Sequence, residues 1–140
     1  MQAFEIKGIN GSIKISVIEI FPGHEGSAPM GGKECRYRLQ ISNEGFSVDD
    51  EFYSSMGQFT DLQSKLTKLY EDLEGSCSTH NPYEDNLELQ FIVQTGGRMV
   101  VKGKYFKLSE EHIELNFEFK SDQSYLNHTL TELRSFCQSV

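Results

Sequence analysis

The sequence has no tryptophan, three prolines and three cysteines in 140 residues. Cys35, Cys77 and Cys137 are an odd set with no close spacing, which argues against a disulfide framework and for a reducing compartment. No apolar run approaches the ~18 residues of a membrane-spanning helix. The opening MQAFEIKGING has no basic segment leading into an apolar one, so it does not read as a secretion signal. The expected location is cytoplasmic. Basic residues are also scarce: 13 Lys and Arg face 21 Asp and Glu, a formal charge of −8. That charge repels a phosphate backbone, so direct nucleic-acid binding is not expected, whereas a basic protein partner would suit it. No repeat, linker or low-complexity tract divides the chain, and residues 1–140 read as a single domain.

Ten Phe and six Tyr supply bulky core material, and their spacing defines the elements. Residues 3–9 alternate through Phe4 and Ile6, and Asn10-Gly11 is a strong hairpin signal. The next strand carries Ile13, Ile15 and Val17, then slips phase so that Ile18 and Ile20 take over its apolar face, as a bulge would cause. Residues 22–34 hold four of the twelve glycines and two prolines, and read as a long loop of the kind that often carries function. Cys35, Tyr37, Leu39 and Ile41 then point one way, with Arg36, Arg38 and Gln40 the other. After a turn at 43–45, Phe46, Val48, Phe52 and Tyr53 mark a strand. Its Asp49-Asp50-Glu51 centre sits badly in a sheet interior, which suggests an edge or a bulge.

At residues 55–73 the period changes to three and four, through Met56, Phe59, Leu62, Leu66, Leu69, Tyr70 and Leu73. This predicts an amphipathic helix, with Gly75 as its stop. Residues 76–86 read as a loop. Three strands follow, LELQFIV, RMVVKGKYF and HIELNFEF, the last with Ile113, Leu115, Phe117 and Phe119 on one face. A final helix, capped by Ser121 or Asp122, buries Leu126, Leu130, Leu133 and Cys137, with Tyr125 and Phe136 flanking. The predicted fold is α+β: an antiparallel sheet of about seven strands in order ββββαβββα, with both helices packed on one face.

Signals for chemistry are thin. Cys77 and His80 have a metal-like gap, but a structural zinc site needs four ligands and no second close pair exists. There is no G-x-S-x-G, and Gly31-Gly32-Lys33 lacks the spacing and the following Ser or Thr of a phosphate loop. Lys102, Lys104 and Lys107 read as a solvated strand face. No catalytic residue, metal site or cofactor is expected. Carboxylates run together at turns and helix ends, where water keeps them ordinary. Two runs stand apart because aromatics interleave them: Asp49, Asp50 and Glu51 with Phe52 and Tyr53, and Tyr83 with Glu84 and Asp85. Charge of this kind steers a basic partner, and aromatics anchor a desolvated centre. Asp49, Asp50, Glu51, Tyr53, Tyr83, Glu84 and Asp85 are therefore the candidate partner-binding residues.

The second half also resembles a known family. FTDLQSKLTKLYEDLEGSCS has a helix closing on Leu73-Glu74-Gly75. In YEDNLELQF, Glu84 precedes Leu87-Glu88-Leu89. GRMVVKGKY opens on Gly97, and Leu115 to Leu126 trace L-x-F-x-F-x-x-DQ-x-YL. Across residues 55–137 these features resemble the WapI-type immunity proteins of bacteria, partners of polymorphic toxins delivered between competing cells. The resemblance implies a non-catalytic, cofactor-free protein that binds and neutralises a basic toxin domain, in that family a tRNA-cutting nuclease; a monomer or weak dimer is expected. It transfers no binding surface. An adaptor domain with a different partner is the alternative. The DQ-x-YL motif itself reads as structural: Ser121 or Asp122 capping the helix, Gln123 bonding nearby backbone, and Tyr125 and Leu126 sealing helix to sheet.

Overall fold

A computed structural model describes residues 2–23 and 28–139. The chain runs β1 (Ala3–Lys7), β2 (Gly11–Phe21), β3 (Glu34–Asn43), β4 (Phe46–Ser55), α1 (Met56–Asp72), β5 (Gly75–His80), β6 (Leu87–Gln94), β7 (Arg98–Phe106), β8 (Glu114–Asp122) and α2 (Gln123–Gln138). The class is α+β, but the strands number eight and form two antiparallel meanders, β1-β2-β3-β4 and β5-β6-β7-β8. Two corrections to the expected fold follow. The segment read as a loop after α1 contains β5, which pairs with β6 from Gly75↔Val93 to His80↔Glu88. Its sequence, GSCSTH, hides it because only Thr79 is buried. The helices also do not lie on one face of one sheet. α1 packs on β5 and on α2, while α2 packs on β1.

In β3, Cys35, Tyr37, Leu39 and Ile41 are buried as the alternation requires. The bulge in β2 is present, with Val17 opposite Tyr37 and Glu19 opposite Arg36, so Ile18 is the extra residue. Ile18 and Ile20 are nonetheless exposed, because the bulge turns this end of β2 away from the core. In the first hairpin, Lys7 pairs with Ser12 and the Gly8 N–H donates to Gly11 O, so the chain reverses at Ile9-Asn10, one residue before the Asn-Gly pair. Tertiary anchoring accompanies this choice: the Ile9 N–H donates to Lys120 O in β8. The tight turn with two left-handed residues is instead Glu44-Gly45, at φ 50° and 85° between paired Asn43 and Phe46.

Both sheets and both helices feed one continuous core. Its centre is aromatic. Phe136 from α2 meets Phe4 edge-on at 4.9 Å and Phe59 at 5.6 Å, and Tyr37 meets Phe59 at 4.9 Å and stacks on Phe52 at 5.3 Å. Phe136 is thus fully inside, not flanking, whereas Cys137 is only half-buried. Thr129 joins the buried stripe by donating to Glu5 O.

Helix ends depart from expectation once. α1 terminates at Leu73, in the left-handed conformation with its N–H on Leu69 O, two residues before Gly75. At its start Ser55 provides no side-chain cap. Met56 N–H donates to Lys33 O and Gly57 N–H to Gly31 O, so the described part of the glycine-rich loop caps the helix with backbone carbonyls. Residues 24–27 of that loop lie outside the described residues. α2 begins as its motif predicts: Asp122 Oδ1 accepts from the Ser124 and Tyr125 N–H groups at 2.9 and 3.0 Å. Ser121 Oγ donates instead to Lys7 O, and Gln123 bonds through its own N–H, to Gly97 O. Leu126 is buried and Tyr125 half-buried.

Candidate functional site

β4 is an edge strand, bonded only to β3, and its register with β3 is unbroken from Asn43↔Phe46 to Glu34↔Ser55. Of the edge or bulge that Asp49-Asp50-Glu51 suggested, the structure has the edge. Alternation directs Ser47, Asp49, Glu51 and Tyr53 outward, and Val48, Asp50, Phe52 and Ser54 inward. Phe52 therefore does not belong to an exposed aromatic patch. It is buried against Tyr37.

The outward carboxylates meet the outward arginines of β3. The Arg38 guanidinium donates to both oxygens of Asp49, at 2.9 and 2.7 Å, and holds that carboxyl below the usual range. Arg36 bridges Glu51 of β4 at 2.5 Å and Glu19 of β2 at 3.2 Å. These pairs are solvent-exposed, so each contributes little to stability and can exchange with a partner's charges.

Asp50 faces the other way and joins the two sheets. It accepts from the Tyr105 hydroxyl at the end of β7 and from Lys107 Nζ at 2.8 Å. Burial pushes its pKa up, but the bonds from Lys107 and Tyr105 outweigh this and hold it below the usual carboxylate value. Tyr105 is raised by burial and by the adjoining carboxylate. Asp50 is thus partly buried and bound to the second sheet, whereas its exposed neighbours pair within their own sheet.

The second candidate run lies in the turn joining β5 to β6. Asn81 Oδ1 accepts from the Tyr83 N–H at 3.0 Å, and Asn81 O accepts from the Asp85 N–H at 3.0 Å. Asn81 Nδ2 donates to Asn86 Oδ1 at 2.9 Å, and Asp85 is left-handed at φ 52°. This fixed turn aims Glu84 at β4, where its carboxylate accepts the Tyr53 N–H at 3.4 Å. The two runs, thirty residues apart in sequence, meet along one edge. Tyr53 is 48% exposed and stacks on Phe21, while Tyr83 is half-buried with its hydroxyl inside.

Sequence reading missed what lies beside this edge. A groove of about 340 Å³ runs between the first half of β4 and the β7–β8 end of the other sheet, with Phe46, Val48, Ile113 and Leu115 as its apolar walls. Phe46 and Ile113 are 68% and 59% exposed. Ile113 is not part of β8, so the segment HIELNFEF begins two residues before the strand does. The lysines of this region are paired: Lys104 with Glu114 at 3.1 Å, Lys102 with Glu118 at 3.8 Å, and Lys107 with Asp50. The alternating Lys and Glu of neighbouring strands was the available signal for the first two.

Among the described residues, no three His, Cys, Asp or Glu side chains gather as metal ligands, and no helix is long and apolar enough to cross a membrane. Cys77 is half-buried on β5, and burial pushes its thiol up to about 11.

No curated protein and no solved structure matches the chain. A family model, that of the immunity protein WapI-like family, matches residues 5–140, so the likeness seen over 55–137 extends through the first sheet as well. The chain belongs to the WapI-like immunity protein family.

Proposed function

We propose that this protein neutralises a cognate bacterial toxin domain, a basic nuclease, by occupying it through the acidic edge formed by β4 and the 81–86 turn. The observation carrying this reading is the Glu84–Tyr53 contact, which unites the two acidic and aromatic runs. Glu84 reaches exposed Tyr53, with Asp85 next to it in the turn, and Asp49 and Glu51 stand on the same strand as Tyr53. A net charge of −8 steers a basic surface toward this edge, and Tyr53 supplies an anchor where water is excluded. In this reading the protein acts by binding alone, as an immunity role requires.

The test is protection. The C-terminal domain of the open reading frame immediately upstream is expressed in cells, with and without this protein in trans. Rescue of growth with one-to-one co-purification is the expected result. Failure to rescue cells from a demonstrably toxic domain overturns it in favour of an adaptor role. With the pair in hand, Glu84→Lys with Asp85→Lys slows association most at low salt. Unchanged association removes the 81–86 turn from the interface.

A further inference from the structure

We propose that the toxin is held in part by strand addition: an extended toxin segment pairs with the free edge of β4 at Ser47 and Asp49. Its apolar side chain enters the groove between Phe46 and Val48 on one wall and Ile113 and Leu115 on the other. This rests on the immunity reading above and names its mode of contact.

The backbone supplies the first reason. In an antiparallel edge strand, alternate residues turn both N–H and C=O away from the sheet. In β4 these are the odd-numbered ones, since the Glu51 N–H donates to Asp50 Oδ1 and the Tyr53 N–H to Glu84 Oε1, side-chain acceptors and not β3 carbonyls. Those two positions are blocked by the molecule's own carboxylates, a common protection for an edge. By the same alternation Ser47 and Asp49 present their N–H and C=O to the same side, and among the described residues no bond occupies them. The groove begins where the blocking stops.

The opposite wall shows the same division. β8 is the edge of its sheet, and its second half is covered, with Glu118 O accepting from Asn43 Nδ2 and Lys120 O from the Ile9 N–H. Its first half, at Glu114 to Asn116, faces the groove and a second, adjoining cavity that runs on past Phe46 to Glu118. An exposed aromatic and an exposed aliphatic therefore face each other across a slot with an unpaired strand edge along it. That is the arrangement used when main-chain bonds give affinity and alternate side-chain pockets give specificity.

Charge selects the occupant. The charged groups lining the two cavities are Glu44, Asp49, Asp50, Glu114 and Glu118 with Lys107; Arg38, Lys104 and Lys102 pair with Asp49, Glu114 and Glu118 from outside the lining in exposed bridges that a partner's cations can replace, and the whole chain carries −8. The segment is therefore apolar at the residue entering the slot and carries Lys or Arg on either side, which places it on a basic partner and not on a second copy of this acidic chain.

The test uses the full chain and the upstream-encoded toxin domain. Ser47→Pro removes one outward N–H and leaves the β3 ladder intact, since proline is tolerated on an edge whose N–H faces solvent. Ile113→Lys removes a wall of the slot at an exposed position. Wild-type binding is measured first, together with hydrogen exchange of the free and bound protein. Each variant is expected to weaken affinity by about tenfold or more with an unchanged urea midpoint, and the Ser47 and Asp49 amides are expected to gain protection on binding. If Ser47→Pro shifts the midpoint, Ile113→Lys and the exchange data decide. Wild-type binding with neither protection nor weakening by Ile113→Lys overturns strand addition and leaves the immunity reading standing. No wild-type binding overturns both. A dimer of this chain that Ser47→Pro dissolves assigns the edge to self-association and also overturns the proposal.

Discussion

Asp50 offers the sharpest check, because the residue reads in sequence as one acid of three and in the structure as the tie between two sheets. Its carboxylate accepts from the Tyr105 hydroxyl and from Lys107, across 55 and 57 residues of chain. Tyr105 is 4% exposed, so truncating Asp50 strands a buried hydroxyl. A hydrogen bond to a charged group contributes about 1.5–3 kcal/mol. The Lys107 arm is half-exposed, and solvent screening reduces it to about 0–1 kcal/mol. Asp50→Ala is therefore expected to cost about 1.5–4 kcal/mol. Asp50→Asn keeps an acceptor for Tyr105 and should cost about 1 kcal/mol. Urea unfolding at pH 7 reads both, and a cycle with Tyr105→Phe should return a coupling of about 1 kcal/mol or more. The pH dependence has a definite sign. The folded pKa lies below the unfolded value of about 3.9, so the contribution is fully present above about pH 5 and is lost as pH falls through the folded value. The difference between wild type and Asp50→Ala should thus hold from pH 8 to 5 and shrink below about pH 4. A loss under about 0.5 kcal/mol at pH 7, or a coupling near zero, would show that Asp50 does not tie the sheets.

Three further outcomes are expected. Asp122→Ala removes the acceptor of two helix N–H groups and should cost about 0.5–2 kcal/mol in urea, and an unchanged midpoint would reject the cap. Phe136→Ala opens the centre of the aromatic core and should cost about 3–5 kcal/mol, whereas a loss below about 1 kcal/mol would mean the core collapses onto the space. Gly103→Ala places a Cβ into the Phe117 ring, which covers this glycine from the paired strand. The ring must move, and a thermal melt should show a clear loss, with wild-type stability indicating that it swings aside freely.

The candidate site was only half legible. The acids and Tyr53 were visible because an Asp-Asp-Glu run is foreign to a strand interior. Their separate fates were not. Asp49 and Asp50 are adjacent and chemically identical, yet the two-residue period of a strand sends one to an arginine in solvent and the other to a buried tyrosine from the far sheet. The groove was invisible for a related reason. Phe46 and Ile113 each read as core-facing members of an alternating run, and only their place at or just beyond a strand end leaves them uncovered.

What the sequence by itself determined is what short-range rules control. Alternation set the buried faces of β3, β6 and β7, the three-four period set both helices, Glu44-Gly45 set its turn, and Asp122 set the start of α2. Each of these needs only a few neighbouring residues. Tertiary structure decided the rest. It made a strand of Gly75–His80, a segment with little apolar content that gains its place from pairing with β6 and packing under α1. It moved the first reversal to Ile9-Asn10, where the Ile9 N–H meets β8. It divided the strands into two sheets, because α1 intervenes after β4 and the chain resumes in a new ladder. The Asp49-Asp50-Glu51 run hinted that β4 is an edge, but which of its outward N–H groups stay open depends on pairing and contacts between distant parts of the chain, and no local pattern records those.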